Sequence, residues 1–248
     1  MRLKLDGLIA PIFVLIWSTG FVIARMAMPY VEPASFLFWR FAGVLMAMAC
    51  LSLVWKISWP SWSQMKHIAV AGVLLQFGYL LGVWFAVRLG MTAGLVAIIV
   101  GLQPILTAWF AAWVSEKVTG RQWIGLAFGF AGVALVVAEK IGFAHIPLLS
   151  YVLAFAALLS ITFGTLYQKK FCPVFDLRAG SSIQFGVSAV LCFICMYYFE
   201  SGVMVWNASV IGALLWAIFC LFGVLGGSLG PPPPPGGQKP WVSESLAE

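Results

Sequence analysis

Charge is what this sequence has least of. Only 9% of its residues are Asp, Glu, Lys or Arg, against 62% apolar, and the mean hydropathy is +1.02. Soluble domains carry roughly a quarter charged residues and about half apolar ones, so a soluble fold of 248 residues has no way to bury this much apolar surface. Histidine is also scarce, with His67 and His145 alone, both expected in loops. No HExxH, serine elbow, phosphate-cradling glycine loop or paired acids at depth accompany them, which leaves catalysis unsupplied. Nothing in the sequence asks for a cofactor or a metal. The five cysteines are an odd number and scattered. Cys192-Phe-Ile-Cys195 spells CxxC inside an apolar run with no neighbouring His or acid, so it reads as packing thiols. The net charge of +6 is spread singly or in pairs between apolar runs, which excludes a nucleic-acid face.

What is present is apolar sequence in lengths that cross a bilayer, about 20 residues each as helix. Eight spans are expected, at 7–27, 34–54, 68–88, 92–113, 122–139, 147–168, 181–199 and 209–229. Between them stand residues that start or end helices: Pro29 and Pro33, Trp59-Pro60-Ser61, Thr119-Gly120, Pro147, Pro173 and Asn207. The fold class is all-α, a polytopic transmembrane bundle embedded in the lipid bilayer. MRLKLDG followed by an apolar run resembles a signal peptide only superficially, and it is read as an uncleaved first helix.

With a cytoplasmic N-terminus, one side of the membrane receives Arg2, Lys4, Lys56, Lys66, Lys117, Arg121, Lys169, Lys170, Arg178 and Lys239. The other receives Arg25, Arg40, Arg88 and Lys140. That asymmetry is the positive-inside pattern, and it places the N-terminus in the cytoplasm of a cell whose plasma membrane holds the chain.

Residues 8–45 align with 152–189 at an offset of 144. Ala10 falls on Ala154, Leu15 on Leu159, Gly20 on Gly164, Arg25 on Lys169, Pro29 on Pro173, Glu32 on Asp176 and Phe41 on Phe185. The first unit begins inside and the second, five spans later, begins outside. Similar units of opposite orientation mark inverted-repeat transporters, which bind solute near the midplane between the repeats.

Several polar groups sit within the spans. Trp17, Ser18 and Thr19 lie mid-span beside Gly20. Arg40 sits about two turns inside its span, where an arginine is expensive and marks either a site or a side chain snorkelling to the interface. Gln76 and Tyr79 share one helix face, as do Gln103 and Thr107, and Ser160, Gly164 and Gln168. Pro104 removes a backbone hydrogen bond inside a span, which lipid tolerates only where a neighbour or cavity answers the freed carbonyl. Such stripes either line a cavity or bond helix to helix. Gly78 with Gly82, and Gly125 with Gly129, have the GxxxG spacing of close helix approach. Glu116, beside Lys117, reads as a solvated carboxylate.

LIWSTGFVIAR and FLFWRFAGVLMA resemble the first two helices of drug/metabolite transporter permeases of the EamA type. GLQPILTAWFAAWVSEKVTGRQWIGLAFGFAGVALVV resembles that family's fourth and fifth helices, with Pro104, Glu116, Gly125 and Gly132 in place. The resemblance covers residues 5 to 225. It implies a permease for small-molecule solutes, often outward, with ten helices in two five-helix halves. It also implies a first repeat over 1–140 and a second over 147–229, of which three helices are present. The candidate substrate-binding set, read from the polar and helix-breaking residues within the spans, is Trp17, Ser18, Thr19, Arg40, Gln76, Tyr79, Gln103, Pro104, Thr107 and Gln168.

Residues 230–248, GPPPPPGGQKPWVSESLAE, depart from that pattern. A proline run forms polyproline II and does not cross lipid. It reads as a ligand for an aromatic groove, as a disordered end, or as the product of a one-base slip, since CCT repeats read as leucine codons in another frame. The slip is the expectation here, with two helices replaced by the tail and transport by the chain as written in doubt. A homodimer would be another source of the missing helices, and a non-transporting membrane product is the alternative.

Overall fold

A computed structural model describes residues 19–20, 22–23, 25–52, 58–113, 120, 123–125, 127–132, 135, 146–173 and 175–226. Within them run α1 (Pro33–Ser52), α2 (Trp62–Gly72), a π-helical segment (Val73–Gly78), α3 (Tyr79–Arg88), α4 (Ala93–Val100), α5 (Gln103–Trp113), α6 (Leu148–Phe171), α7 (Leu177–Phe199) and α8 (Ala208–Gly226). Residues 22–23, 25–27, 123–125 and 127–132 are also helical. Five stretches are long and apolar enough to cross a membrane: Pro33–Cys50, Trp62–Arg88, Ala93–Phe110, Leu148–Phe171 and Leu177–Phe199. In each, 33% to 44% of the apolar window is buried, and apolar side chains such as Trp39, Val70, Phe155 and Val190 are exposed along the spans. In water that surface would aggregate; in lipid it needs no cover.

The helix ends follow local chemistry. Span three begins at Trp62, six residues earlier than the hydropathy indicated. Ser61 caps it in a capping box with Gln64, a signal carried by polar residues that a search for apolar runs passes over. It ends at Gly90, whose φ of +102° favours glycine. There Met91 N–H bonds Ala86 O at 3.1 Å and Gly90 N–H bonds Val87 O at 3.0 Å, the crossed pair of a Schellman turn. Thr92 caps α4, Asp176 caps α7 through Arg178 N at 2.9 Å, and Asn207 caps α8 through Val210 N at 2.8 Å. Span four is two helices rather than one. The chain turns at Gly101–Leu102 and restarts at Gln103, so Pro104 stands in a first helical turn, where its missing N–H goes unneeded.

Helix α6 is wrapped by α2, the π segment, α3, α4 and α5, while α7 packs on α1, α2 and the π segment, and α8 on α1. The α6–α3 seam is made of small residues. A Cβ on Gly82 would lie 3.0 Å from Ala157 Cβ, and one on Gly78 would strike Ser160 Oγ. The first GxxxG pair is thus a close packing contact. Phe36 stacks on Trp84 at 4.5 Å, and Phe41 stacks on Phe185 at 5.7 Å.

The bundle has two distinct ends. At one, Ser58 N faces Asp176 (3.4 Å), His67 bonds Tyr167 OH (2.8 Å) and His67 stacks on Phe171 (5.1 Å). His67 therefore lies on α2, in its second turn, and not in a loop as the sequence suggested; the early cap at Ser61 carries it into the helix. At the other end, Glu200 accepts from Ala34 N (2.6 Å), Ser35 N (2.8 Å) and Ser35 Oγ (2.8 Å), capping α1 from 165 residues away. Glu32 accepts from Ser201 Oγ (3.0 Å) and Gly202 N (3.1 Å). Val31 and Met204 form an antiparallel bridge, and Arg88 donates to Met28 O. Among the described residues, Lys66, Lys169, Lys170 and Arg178 gather at the first end, and Arg25 and Arg88 at the second.

Candidate functional site

The spans place most of their polar side chains along α6 and α7. Gln103, at the start of α5, donates from Nε2 to Thr165 Oγ1 at 3.1 Å. Gln184 on α7 donates from Nε2 to Gln168 Oε1 on α6 at 2.9 Å. Ser160 Oγ donates to Leu74 O at 2.8 Å, and Ser188 Oγ donates to Gly72 O at 3.2 Å. Thr162 and Thr165 turn their hydroxyls back on Leu158 O and Ile161 O, both at 2.7 Å, the usual way a helical threonine hides its donor. Half-buried Gln103, Gln168 and Ser160 and buried Ser188 therefore join helix to helix in this arrangement, which gives their polar groups partners.

The expected site residues do not form one cluster. Gln103 and Gln168 both reach partners beside α6. Gln76 is half-buried within the π segment, whereas Tyr79 is buried at the head of α3. A π turn holds more residues than an α turn, so the phase that would put these two side chains on one face is altered between them. Pro104 is exposed. The Thr107 hydroxyl on α5 is buried and has no hydrogen-bond partner, as is the Tyr151 hydroxyl near the start of α6. Thr19 Oγ1 accepts from Trp216 Nε1 at 3.1 Å, across to α8. Trp17, Ser18, Glu116 and residues 230–248 lie outside the described residues. Arg40 sits half-buried on α1, about 10 Å along the helix from Pro33. It lies deeper in its span than any other charged side chain among the described residues.

Gln184, Thr165 and Ser188 were not anticipated. Gln184 had a legible signal, because the 144 offset sets it opposite Arg40. Thr165 and Ser188 had none, since a hydroxyl in an apolar helix more often bonds its own backbone. Cys192 is buried, Cys195 half-buried and Cys50 exposed, all three free. Burial pushes the Cys172 thiol up at the end of α6, which keeps it protonated. Among the described residues, no three His, Cys, Asp or Glu side chains come together. A groove of about 390 Å³ runs along α7, lined by Ile183, Gly186, Val187, Val190 and Leu191. Its lining is apolar, so it is not the place where the amides and hydroxyls meet.

Five apolar spans, exposed apolar faces and polar groups paired inside define a multi-pass α-helical membrane protein. Residues 7–138 match the model of the EamA-like transporter family, and the chain belongs to that family. It is 28% identical to the uncharacterized transporter YvbV of Bacillus subtilis (strain 168) over 218 residues, which is 85% of this chain and 69% of that protein. It is 26% identical to a probable amino-acid metabolite efflux pump of Salmonella typhimurium over 166 residues, 66% of this chain and 54% of the pump. A protein of the same description in Escherichia coli (strain K12) is 25% identical over 166 residues, again 66% and 54%. The matches to the two pumps thus span about half of their length. No solved structure matches the chain.

Proposed function

We propose that this chain moves small organic metabolites of the amino-acid kind across the plasma membrane as a secondary transporter, outward, by alternating access of two inverted halves. The observation that carries the reading is the Phe41–Phe185 stack. These residues are equivalents at the 144 offset, and equivalent positions touch one another only near the axis that relates two units. The same offset turns α1 into α7 and α2 into α8. The packing of α2 on α7 then has its counterpart in the packing of α8 on α1, and both are present. An inverted pair of this kind places a solute site between the halves. Arg40, Gln76, Tyr79, Gln103, Pro104, Thr107 and Gln168 on the described spans, with Trp17, Ser18 and Thr19 on the first, are its proposed lining. The name borne by the two efflux pumps supports the substrate class and the outward direction. The distribution of Lys66, Lys169, Lys170 and Arg178 supports a cytoplasmic N-terminus.

The test is flux. The chain is reconstituted in liposomes and a panel of radiolabelled amino acids is followed across the membrane. Saturable, solute-specific flux that falls at least tenfold in Arg40→Ala is the expected result; flux indistinguishable from empty liposomes for every solute sinks the reading. Orientation is read separately in intact cells, where a cysteine introduced at exposed Ser201 should react with an impermeant maleimide and one at Ser63 should not.

A further inference from the structure

The π segment Val73–Gly78 lies in the middle of a 27-residue span, from Trp62 to Arg88. Six residues make about one turn of this conformation, which mostly appears as single-turn bulges, frequently at functional sites. Its surroundings come from the other half of the bundle. Gly72, which precedes it, lies so close to α7 that an added Cβ would be 2.6 Å from Gln184 Cα. Gly78, which ends it, touches α6, where a Cβ would run into Ser160 Oγ. Each glycine therefore brings a serine of the second half within reach of a backbone carbonyl. Ser188 donates to Gly72 O at 3.2 Å and Ser160 to Leu74 O at 2.8 Å. Leu74 O also accepts Tyr79 N–H, the i to i+5 bond that makes the turn π. The Ser160 hydroxyl thus adds a second donor to the carbonyl on which the π geometry depends. Gln76, the one polar side chain of the segment, lies two residues beyond the Leu74 carbonyl that Ser160 holds and four beyond that of Gly72.

We propose that Ser160 and Ser188 are positioning residues, which hold the π segment from the second half in the register that presents Gln76 to the solute. The inference rests on the transport reading above and names how one of its proposed lining residues is placed. Alanine at 160 or 188 adds no bulk and removes the hydroxyl that donates to Leu74 O or Gly72 O.

Two readouts separate this from mere packing. The first needs no solute. Cys50, Cys172, Cys192, Cys195 and Cys220 are replaced by alanine, Gln76 by cysteine, and its labelling by N-ethylmaleimide is timed in the reconstituted full chain. Ser160→Ala and Ser188→Ala each raise that rate about fivefold as the segment loosens, and Ser160→Thr, which keeps the donor, returns it to within about twofold. The second is flux of the radiolabelled amino-acid panel. Ser160→Ala raises KM about fivefold with the maximal rate little changed, and adds nothing in a Gln76→Ala background, because both changes remove the same contact. Labelling unmoved in both alanine variants overturns the proposal, and so does a KM effect of equal size with and without Gln76. If no amino acid is carried at all, the transport reading fails, while the labelling rates still decide whether the serines hold the segment. If Ser160→Ala does not fold, Ser188→Ala supplies the same comparison through a different helix.

Discussion

Gly164 and Gly20 are counterparts at the proposed 144-residue offset and live in different surroundings. A Cβ on Gly164 would lie 2.8 Å from Leu75 Cγ and 3.0 Å from Leu74 Cβ, whereas one on Gly20 meets nothing within 4 Å among the described residues. The residue type and its register are shared; the neighbours are not. Helix α6 is enclosed by the π segment and by α3, α4 and α5, which brings Leu74 and Leu75 down onto Gly164. The equivalent of Leu75 is Phe219 on α8, which stays exposed. A glycine kept in both repeats is thus a packing requirement in one and, in this arrangement, an open position in the other. The same holds for polar residues. Gln184 is buried and bonded to Gln168, while its equivalent Arg40 is the deepest charge among the described residues. Gly72, pressed against α7, is equivalent to Trp216, which bonds Thr19.

The comparison breaks most directly at the glycines. Gly164→Val drives a branched side chain into Leu74 and Leu75 and should destabilise the bundle by about 2–3 kcal/mol, the scale of overpacking. Gly20→Val should stay within about 0.5 kcal/mol. Equilibrium unfolding in mixed micelles, followed by circular dichroism, measures both; equal losses would mean that residue 20 is as enclosed as residue 164. Next in size is the tie between the halves at the Glu200 end. Glu200→Ala leaves Ala34 N, Ser35 N and Ser35 Oγ without their charged acceptor, and should cost about 2 kcal/mol, with Glu200→Gln costing about half as much. An unchanged midpoint in both variants would show that water replaces the carboxylate there. Smaller still is the amide–hydroxyl pair on α6. Thr165→Val should lose about 0.6 kcal/mol, the average for a hydrogen bond between helices in lipid, and Gln103→Leu in the same background should add little. Full additivity of the two would mean that the Gln103–Thr165 bond is not formed in the membrane. Tyr167→Phe, which keeps the tilted ring contact with Phe171 and removes the bond to His67, should cost about the same 0.6 kcal/mol in that unfolding measurement.

Much of the fold was legible because its signals are local. Five spans come out of hydropathy within a few residues, and Asn207 and the Pro147 start lie where helix-breaking residues were noted, while Asp176, three residues past Pro173, caps α7, which begins four residues ahead of the expected start. Ser61 shifted one boundary because polar caps extend a helix beyond its apolar stretch. The proposed repeat pairs Phe41 with Phe185, and those two rings stack. The candidate site was less so. Gln103 and Gln168 could be picked out as amides in apolar helices, but their partners Thr165 and Gln184 are set by how helices cross. Glu200 gave no hint of its role, because its three partners lie more than 160 residues back along the chain.

By itself, the sequence determined that the chain lives in a membrane and where most of its helices start and stop. Those properties depend on hydropathy and on groups within a turn of one another, so they are present in the chain before it packs. Tertiary structure decided the rest: that Gly164 is enclosed and Gly20 open, that the middle of span three winds as a π helix, that Glu200 caps α1, and which amide meets which hydroxyl. Each of those depends on a close approach between helices far apart in sequence, where a single Cβ separates contact from collision, and no local pattern encodes that distance.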